Sequence, residues 1–186
     1  MIKYKLTDEF IEFNMRKLYR IKALMDFSDV KKGDLGGYVE KEANLSHCGD
    51  AWVYGNARVY GNAWVYGDAR VYGDARVYGD AWVYGDARVY GDAQVYGDAR
   101  VCGKMTICSN NDFSLVSNFG SENRTTIFAF NNEKQLVVKC GCFYGTIERF
   151  REKVKETHKD SYLAKEYLMI ADLMEMRFAN RKEQKK

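Results

Sequence analysis

Proline is missing from this chain altogether. Nothing in it withholds a backbone N–H from a strand ladder, and no segment carries the kink that proline imposes. Long apolar runs are missing too. The opening is charged and the apolar stretches are short, so neither a secretory signal peptide nor a transmembrane span is expected. Histidine occurs only twice, at His47 and His158, which leaves little material for acid–base work near neutral pH. Cysteine occurs five times, an odd number with no paired framework, which fits a reducing cytoplasm. Charge of one sign is not in excess either. A net +3 over 186 residues does not by itself point to nucleic acid, and no membrane partner is expected.

What the chain does have is a six-residue tandem repeat, Val-Tyr-Gly-Asp-Ala-Arg with small variations. Valine recurs at every sixth position from Val53 to Val101, glycine from Gly49 to Gly103 and alanine from Ala51 to Ala99. A strict period of this kind marks a solenoid. Each unit divides into a four-residue strand and a two-residue corner. In Ala69-Arg70-Val71-Tyr72 the side chains alternate, so Ala69 and Val71 face inward while Arg70 and Tyr72 face outward. Gly73-Asp74 then supplies the corner, through glycine's tolerance of unusual backbone angles and an aspartate able to bond nearby amides. A period of six does not keep one face of a 3.6-residue helix apolar, so a helical repeat is excluded.

The pattern resembles the hexapeptide-repeat family, which places an aliphatic residue first and a small one fifth, as Val71 and Ala75 stand here. The resemblance implies a left-handed parallel β-helix of triangular section, in which three hexapeptides make one coil and residues 18 apart stack. It covers about residues 37–108 and yields about four coils, a rod about 20 Å long at the spacing of paired strands. The first coil is degenerate, with Val39, Ala43 and Leu45 inward. It is two residues too long before Ala51, which places a bulge at Ser46-His47-Cys48-Gly49-Asp50. Met105 and Ile107 keep the inward positions at the far end.

Open coil ends expose unpaired backbone, so caps are required. Residues 1–36 are expected to form an N-terminal β cap, with strands Phe10–Phe13 and Leu18–Ala23 around an Asn14-Met15-Arg16 turn, and Gly36-Gly37 turning into the first coil. Residues 109–186 are expected to form a capping and oligomerisation module. In it, residues 113–140 are expected to form a β unit, with Thr125–Phe130 and Gln135–Cys140 as a hairpin around Asn131-Asn132-Glu133-Lys134, followed by two helices. The first helix is Ile147–His158, N-capped by Thr146. The second runs from Tyr162 to about Asn180, with a charged, frayed tail to Lys186. On the second helix Leu163, Tyr167, Ile170, Met174 and Phe178 form an apolar stripe widened by Leu168, Met169, Leu173 and Met176. That is more apolar surface than docking on one small hairpin needs, so the stripe is expected to join subunits of a homo-oligomer.

Chemistry is sparse. Members of the hexapeptide family are often acyltransferases that use a histidine base between subunits, which makes His47 the candidate here; yet no partner motif accompanies it, and His158 closes a helix. Cys140-Gly141-Cys142 with His158 lacks the spacing of a common zinc site. Gly36-Gly37 lacks the pattern of a phosphate loop. No catalysis, metal or cofactor is expected.

The outward positions are richer. Residues 18 apart stack into the columns Trp52, Arg70, Arg88; Arg58, Arg76, Gln94; and Trp64, Trp82, Arg100. Tyrosines run beside them, among them Tyr72, Tyr78 and Tyr84. Trp, Tyr and Arg dominate binding hot spots, and plain solubility does not call for exposed tryptophans. From Gly49 to Gly103 the repeat holds seven aspartates and five arginines, which disfavours a phosphate backbone and favours a protein partner or self-association.

The flanks carry a second resemblance. Lys32-Gly33-Asp34-Leu35-Gly36-Gly37-Tyr38-Val39-Glu40 and Asn44-Leu45-Ser46-His47 are similar to the opening of small repeat proteins encoded by phages and prophages. Val138-Lys139-Cys140-Gly141-Cys142-Phe143, Gly145-Thr146, Glu156-Thr157-His158 and Ala164-Lys165-Glu166-Tyr167 are similar to their C-terminal module. That resemblance implies a phage accessory protein acting in the host cytoplasm. The expected function is non-catalytic binding and blocking of a host protein, a defence effector in the manner of an anti-CRISPR. A self-assembling scaffold and an acyltransferase are the alternatives.

Overall fold

A computed structural model of the chain describes residues 1–184. They form two compact units, one spanning Met1–Asn110 and the other beginning at Asn111.

The first unit contains a parallel β-solenoid of about four turns. Three longer strands open it: β1 (Tyr4–Phe13), β2 (Arg16–Ala23) and β3 (Leu35–Val39). Two-residue strands β4 to β13 follow at Trp52–Val53, Arg58–Val59, Trp64–Val65, Arg70–Val71, Arg76–Val77, Trp82–Val83, Arg88–Val89, Gln94–Val95, Arg100–Val101 and Thr106–Ile107. Strands 18 residues apart pair in parallel, so Trp52 lies beside Arg70 and Arg70 beside Arg88. Arg58, Arg76 and Gln94 form a second column, and Trp64, Trp82 and Arg100 a third. The repeat valines and alanines from Ala51 to Val101 are all buried, as are Met105 and Ile107. The first coil is offset by two residues, Val39 pairing with Val59 and Leu45 with Val65. The extra length lies in the irregular stretch 46–50.

The N-terminal hairpin is longer than the sequence predicts. Its turn is Asn14-Met15, both at positive φ (49° and 59°), the two-residue geometry that suits a twisted hairpin. Arg16 therefore begins β2 instead of turning. The hairpin continues one solenoid face, giving the strand order β1-β2-β3-β5-β8-β11. Gly36-Gly37 is strand, not turn. A Cβ on Gly36 would lie 2.7 Å from the Trp52 indole and 2.6 Å from the Val53 carbonyl, so glycine is there to admit close packing.

The ladder has a direction. Backbone N–H groups of each coil donate to carbonyls of the next, as Arg70 does to Ala87 (2.9 Å) and Tyr72 to Val89 (3.0 Å). First-coil carbonyls have no earlier coil to accept from and need donors. Lys3, 2% exposed, supplies them, its Nζ donating to Gly49 (3.0 Å) and Ala51 (2.7 Å). The Tyr4 hydroxyl shares its proton between the Glu42 and Leu45 carbonyls (2.8 and 2.9 Å). At the far end the need is reversed, and the Asn110 side-chain oxygen accepts from the Gln94 N–H (2.7 Å).

Burial pulls the Lys3 ammonium down to about 8, against the opposing pull of Asp50, Cys48 and Asp68. The folded pKa lies below the unfolded one, so between pH 8 and about 10.5 the unfolded chain holds the extra proton and stability rises with pH. Unfolding free energies of the wild type relative to Lys3→Met are expected to rise by about 2–3 kcal/mol across that window. Urea titrations at intervals from pH 7 to 10.5 measure the difference, and parallel profiles would refute it.

In the second unit a four-stranded antiparallel sheet, β14 (Phe113–Phe119), β15 (Arg124–Phe130), β16 (Leu136–Cys140) and β17 (Phe143–Thr146), is joined by α1 (Ile147–His158) and α2 (Tyr162–Gln184). The predicted hairpin is the central pair of this sheet. Thr146 caps α1, its hydroxyl accepting from the Arg149 N–H (3.4 Å). Without a glycine or proline stop, α2 continues past Asn180 to Gln184; Lys185 and Lys186 of the expected frayed tail lie outside the described residues. No helix among the described residues is long and apolar enough to cross a membrane.

Candidate functional site

The three solenoid faces differ because the N-terminal segment folds back over two of them. On the face carrying Arg58, Arg76 and Gln94, the tip of β1 brings Phe13 down. The Arg58 and Arg76 guanidinium carbons lie 4.6 and 5.1 Å from its ring centroid, and Tyr60 meets it edge-on at 5.8 Å. Leu18, Tyr38 and Tyr60 form a buried cluster there, with Ile11, Phe13 and Tyr78 against it. Arg58, Arg76 and Tyr78, expected on an open surface, are half-buried and partly engaged within the fold.

On the face carrying Trp52, Arg70 and Arg88, the segment between β2 and β3 performs the covering. Trp52 is only 1% exposed, held edge-on by Phe27 at 5.3 Å and Tyr4 at 6.1 Å. Its expected place on the binding surface is corrected: the side chain is core, because the chain from Phe27 to Gly36 closes over it. Asp29 on the same segment accepts from the Tyr54 hydroxyl (2.9 Å) and pairs with Arg70 (3.2 Å).

The third face is uncovered by this segment and carries two of the chain's three tryptophans. Trp64 stacks on Tyr66 (4.1 Å, 25°) and meets Trp82 edge-on (5.7 Å, 87°). Tyr66 and Tyr84 stack in parallel at 4.9 Å, and the Arg100 guanidinium lies 4.3 Å over the Trp82 ring. Burial pushes the Tyr66 and Tyr84 phenols above their ordinary range, and for Tyr84 the Cys102 thiol adds to it. Both rings are therefore neutral at physiological pH, and the one positive charge in the cluster is spread over an indole. Trp64, 36% exposed, and Arg100 remain presented to solvent. Chemically the patch offers flat apolar area, phenol donors and a guanidinium, and nothing that moves a proton or attacks a bond. The two-residue alternation that placed Trp64 and Trp82 outward also marks Tyr66, which the sequence reading passed over. Phe13, Phe27 and Asp29 carry no periodic signal.

The oligomerisation stripe is also corrected. Tyr167, Met174 and Phe178 are buried, with Leu163 and Ile170 packed against the same core, which includes Phe119, Phe128, Val138, Ile147, Phe150 and Val154. Phe178 meets Phe130 edge-on at 5.1 Å. The reason is that β14 and β17 double the width of the expected hairpin, so sheet and α1 together absorb the stripe. What α2 leaves outside is a different row: Tyr162, Met169 (72% exposed), Leu173 and Met176.

Both histidines are engaged. His47 Nδ1 accepts the Lys3 backbone N–H (3.2 Å), and its ring stacks on Tyr4 at 4.4 Å. His158 stacks on Tyr167 at 5.3 Å. Burial raises the Cys140 thiol, which makes it a poor nucleophile at neutral pH. Among the described residues no three His, Cys, Asp or Glu side chains gather as a metal site.

The parallel strands, the stacked columns and the buried Val–Ala interior define a β-solenoid repeat protein. More particularly, the chain is similar to the YdcK beta solenoid repeat over residues 49–67, 69–85 and 93–108. A search of curated proteins finds no match.

Proposed function

We propose that this chain is a non-catalytic interaction protein that engages a host protein through the third solenoid face. The proposed partner is a component of a bacterial defence system, whose action it blocks. The observation that carries the binding reading is the Trp64–Tyr66–Trp82–Tyr84–Arg100 cluster. These are the residue types that dominate hot spots, held in fixed geometry by their neighbours, so little side-chain entropy remains to be lost on binding. The corner aspartates favour a protein over a nucleic acid. The engagement of His47 and His158 within the fold supports a role without catalysis.

The defence-system part rests on the likeness of the flanks to phage and prophage proteins, and an anti-CRISPR inhibitor is its concrete form. It is tested by expressing the chain in a host whose CRISPR–Cas or other defence restricts a phage. Restored plating that is lost with Trp82→Ala/Arg100→Ala is expected. Equal protection by both chains would remove the third face from the mechanism, and no protection against any of the host's defence systems would remove the partner class.

A second reading, self-association, is favoured by the outer row of α2. Met169, Leu173 and Met176 follow at spacings of four and three, with Tyr162 seven before Met169, which is the seam of a helix pair. Asp172 beside that seam is already paired with Arg151 (2.7 Å), so the apolar row itself carries this reading. Light scattering across a concentration series is expected to show a dimer that Met169→Glu/Leu173→Glu converts to monomer. An unchanged mass on this substitution would exclude the seam.

A further inference from the structure

A second binding feature lies on the face that the Asp29 segment only partly covers. We propose that the open cleft lined by Asp29, Tyr54, Arg70, Tyr72 and Arg88 is a binding site for a small organic oxyanion, a carboxylate or phosphate carried on a ring. The site is separate from the aromatic third face, and its fate does not depend on that reading.

Three observations converge on it. The first is an imbalance of charge. Arg70 and Arg88 are neighbours in one column of paired strands. Arg70 is satisfied by Asp29 and by the Ser28 hydroxyl (3.0 Å). Arg88 is exposed and makes no ion pair or hydrogen bond among the described residues. A guanidinium with its five donors free beside a second guanidinium is a preformed half of a fork-to-fork contact with an oxyanion.

The second observation is a break in the tyrosine ladder. Tyr72 and Tyr90 stack in parallel at 4.8 Å, 2° apart, but Tyr54 and Tyr72 meet edge-on at 6.4 Å and 86°. Tyr54 is turned because Asp29 holds its hydroxyl, and burial followed by that hydrogen bond raises the phenol to about 12. The turned ring leaves a recess where the stack would otherwise continue. The third observation is the recess itself, with a volume of about 350 Å³, within the range of small-molecule sites. Tyr54 and Tyr72 give it aromatic walls for the body of a ligand. Arg88 supplies the charge contact, and Asp29 sets the net charge of the lining at +1 from two arginines and one aspartate.

Benzoate and phenyl phosphate are the probes, with benzamide as the neutral control of the same shape. Titrations followed by calorimetry and by the ring signals of Tyr54 and Tyr72 are expected to show saturable binding of one or both anions, weakening as salt is raised. The stronger of the two identifies carboxylate or phosphate as the natural group. Arg88→Gln is expected to lower affinity by about tenfold or more. Asp29→Asn, which removes the competing carboxylate, is expected to raise it several-fold. Circular dichroism checks that both surface variants fold. The proposal is overturned if benzamide binds as well as benzoate, if Arg88→Gln leaves affinity unchanged, or if neither anion saturates the wild type and Asp29→Asn.

Discussion

Alanine at Trp82 and Arg100 together is expected to weaken capture of the protein partner by about a hundredfold or more while leaving the fold intact. The two side chains form one object, since the guanidinium lies 4.3 Å over the indole and Trp64 meets the same indole edge-on. Removing them takes away the charge and the ring that Trp64 meets edge-on, and leaves Trp64 stacked only on Tyr66. The inward residues of those strands, Val83 and Val101, are untouched and stay buried, so the melting temperature is expected to move by only a few degrees. Arg58→Ala/Arg76→Ala provides the contrast. Those guanidiniums lie over Phe13 within the fold, so their loss is expected to lower stability and spare capture. Surface-plasmon titration of the captured partner with both variants separates the outcomes. Unchanged affinity for the Trp82/Arg100 variant would remove this face as the binding site.

The second large effect concerns one corner glycine and not another. Gly91→Ala is expected to cost about 3–5 kcal/mol in unfolding free energy, and Gly97→Ala only about 1–2 kcal/mol. Both glycines sit at positive φ, 65° and 62°, so both substitutions incur the left-handed backbone cost. The difference lies in what the new methyl group meets. At Gly91 it would be driven into the Cys108 carbonyl of the next coil, backbone that cannot swing aside; at Gly97 nothing stands within 4 Å. Urea unfolding of the two variants measures the gap, and equal costs would show that coil-to-coil contact at these corners is looser than the structure describes.

These two cases mark what the sequence made legible. Within the strict repeat the period placed every column and every inward residue, and the extra pair of residues before Ala51 was visible as a phase slip. In the degenerate first coil Ala43, expected inward, is exposed in a short 3-10 turn, and Asn44 is buried beside it, donating to the Gly61 and Ala63 carbonyls. Thr146 and the spacing after it located α1. Exposure was not legible, because it depends on residues that occur once. Phe13, Phe27 and Asp29 belong to no repeat, yet they decide that Trp52 is core and that Arg58 and Arg76 are half-covered. The second unit failed at the same point. Phe113–Phe119 falls inside the expected β unit but is broken by serine and asparagine, and Phe143–Thr146 is broken by glycine. Neither was legible as a strand paired to the hairpin, and with the hairpin alone the α2 stripe appeared to need a second subunit. Of the residues expected only to widen the stripe, Met169, Leu173 and Met176 are the ones α2 exposes, with Tyr162, while Leu168 packs against the core.

The one-way hydrogen bonding of the coils has a consequence for how such a chain can change length. Its two ends ask for opposite things, donors at Lys3 and Tyr4 and an acceptor at Asn110, so neither end piece can serve at the other. Any insertion that keeps both end pieces matched must return the chain to the same corner, which means 18 residues at a time. A gain of 18 duplicates one row on each face and leaves every column in register, lengthening the Trp64–Arg100 surface by one step. A gain of six keeps the hydrophobic interior yet carries the terminal acceptor to a different side. Genetic drift in repeat number is thereby quantised, and the binding surface grows or shrinks in whole rows while the ends remain as they are.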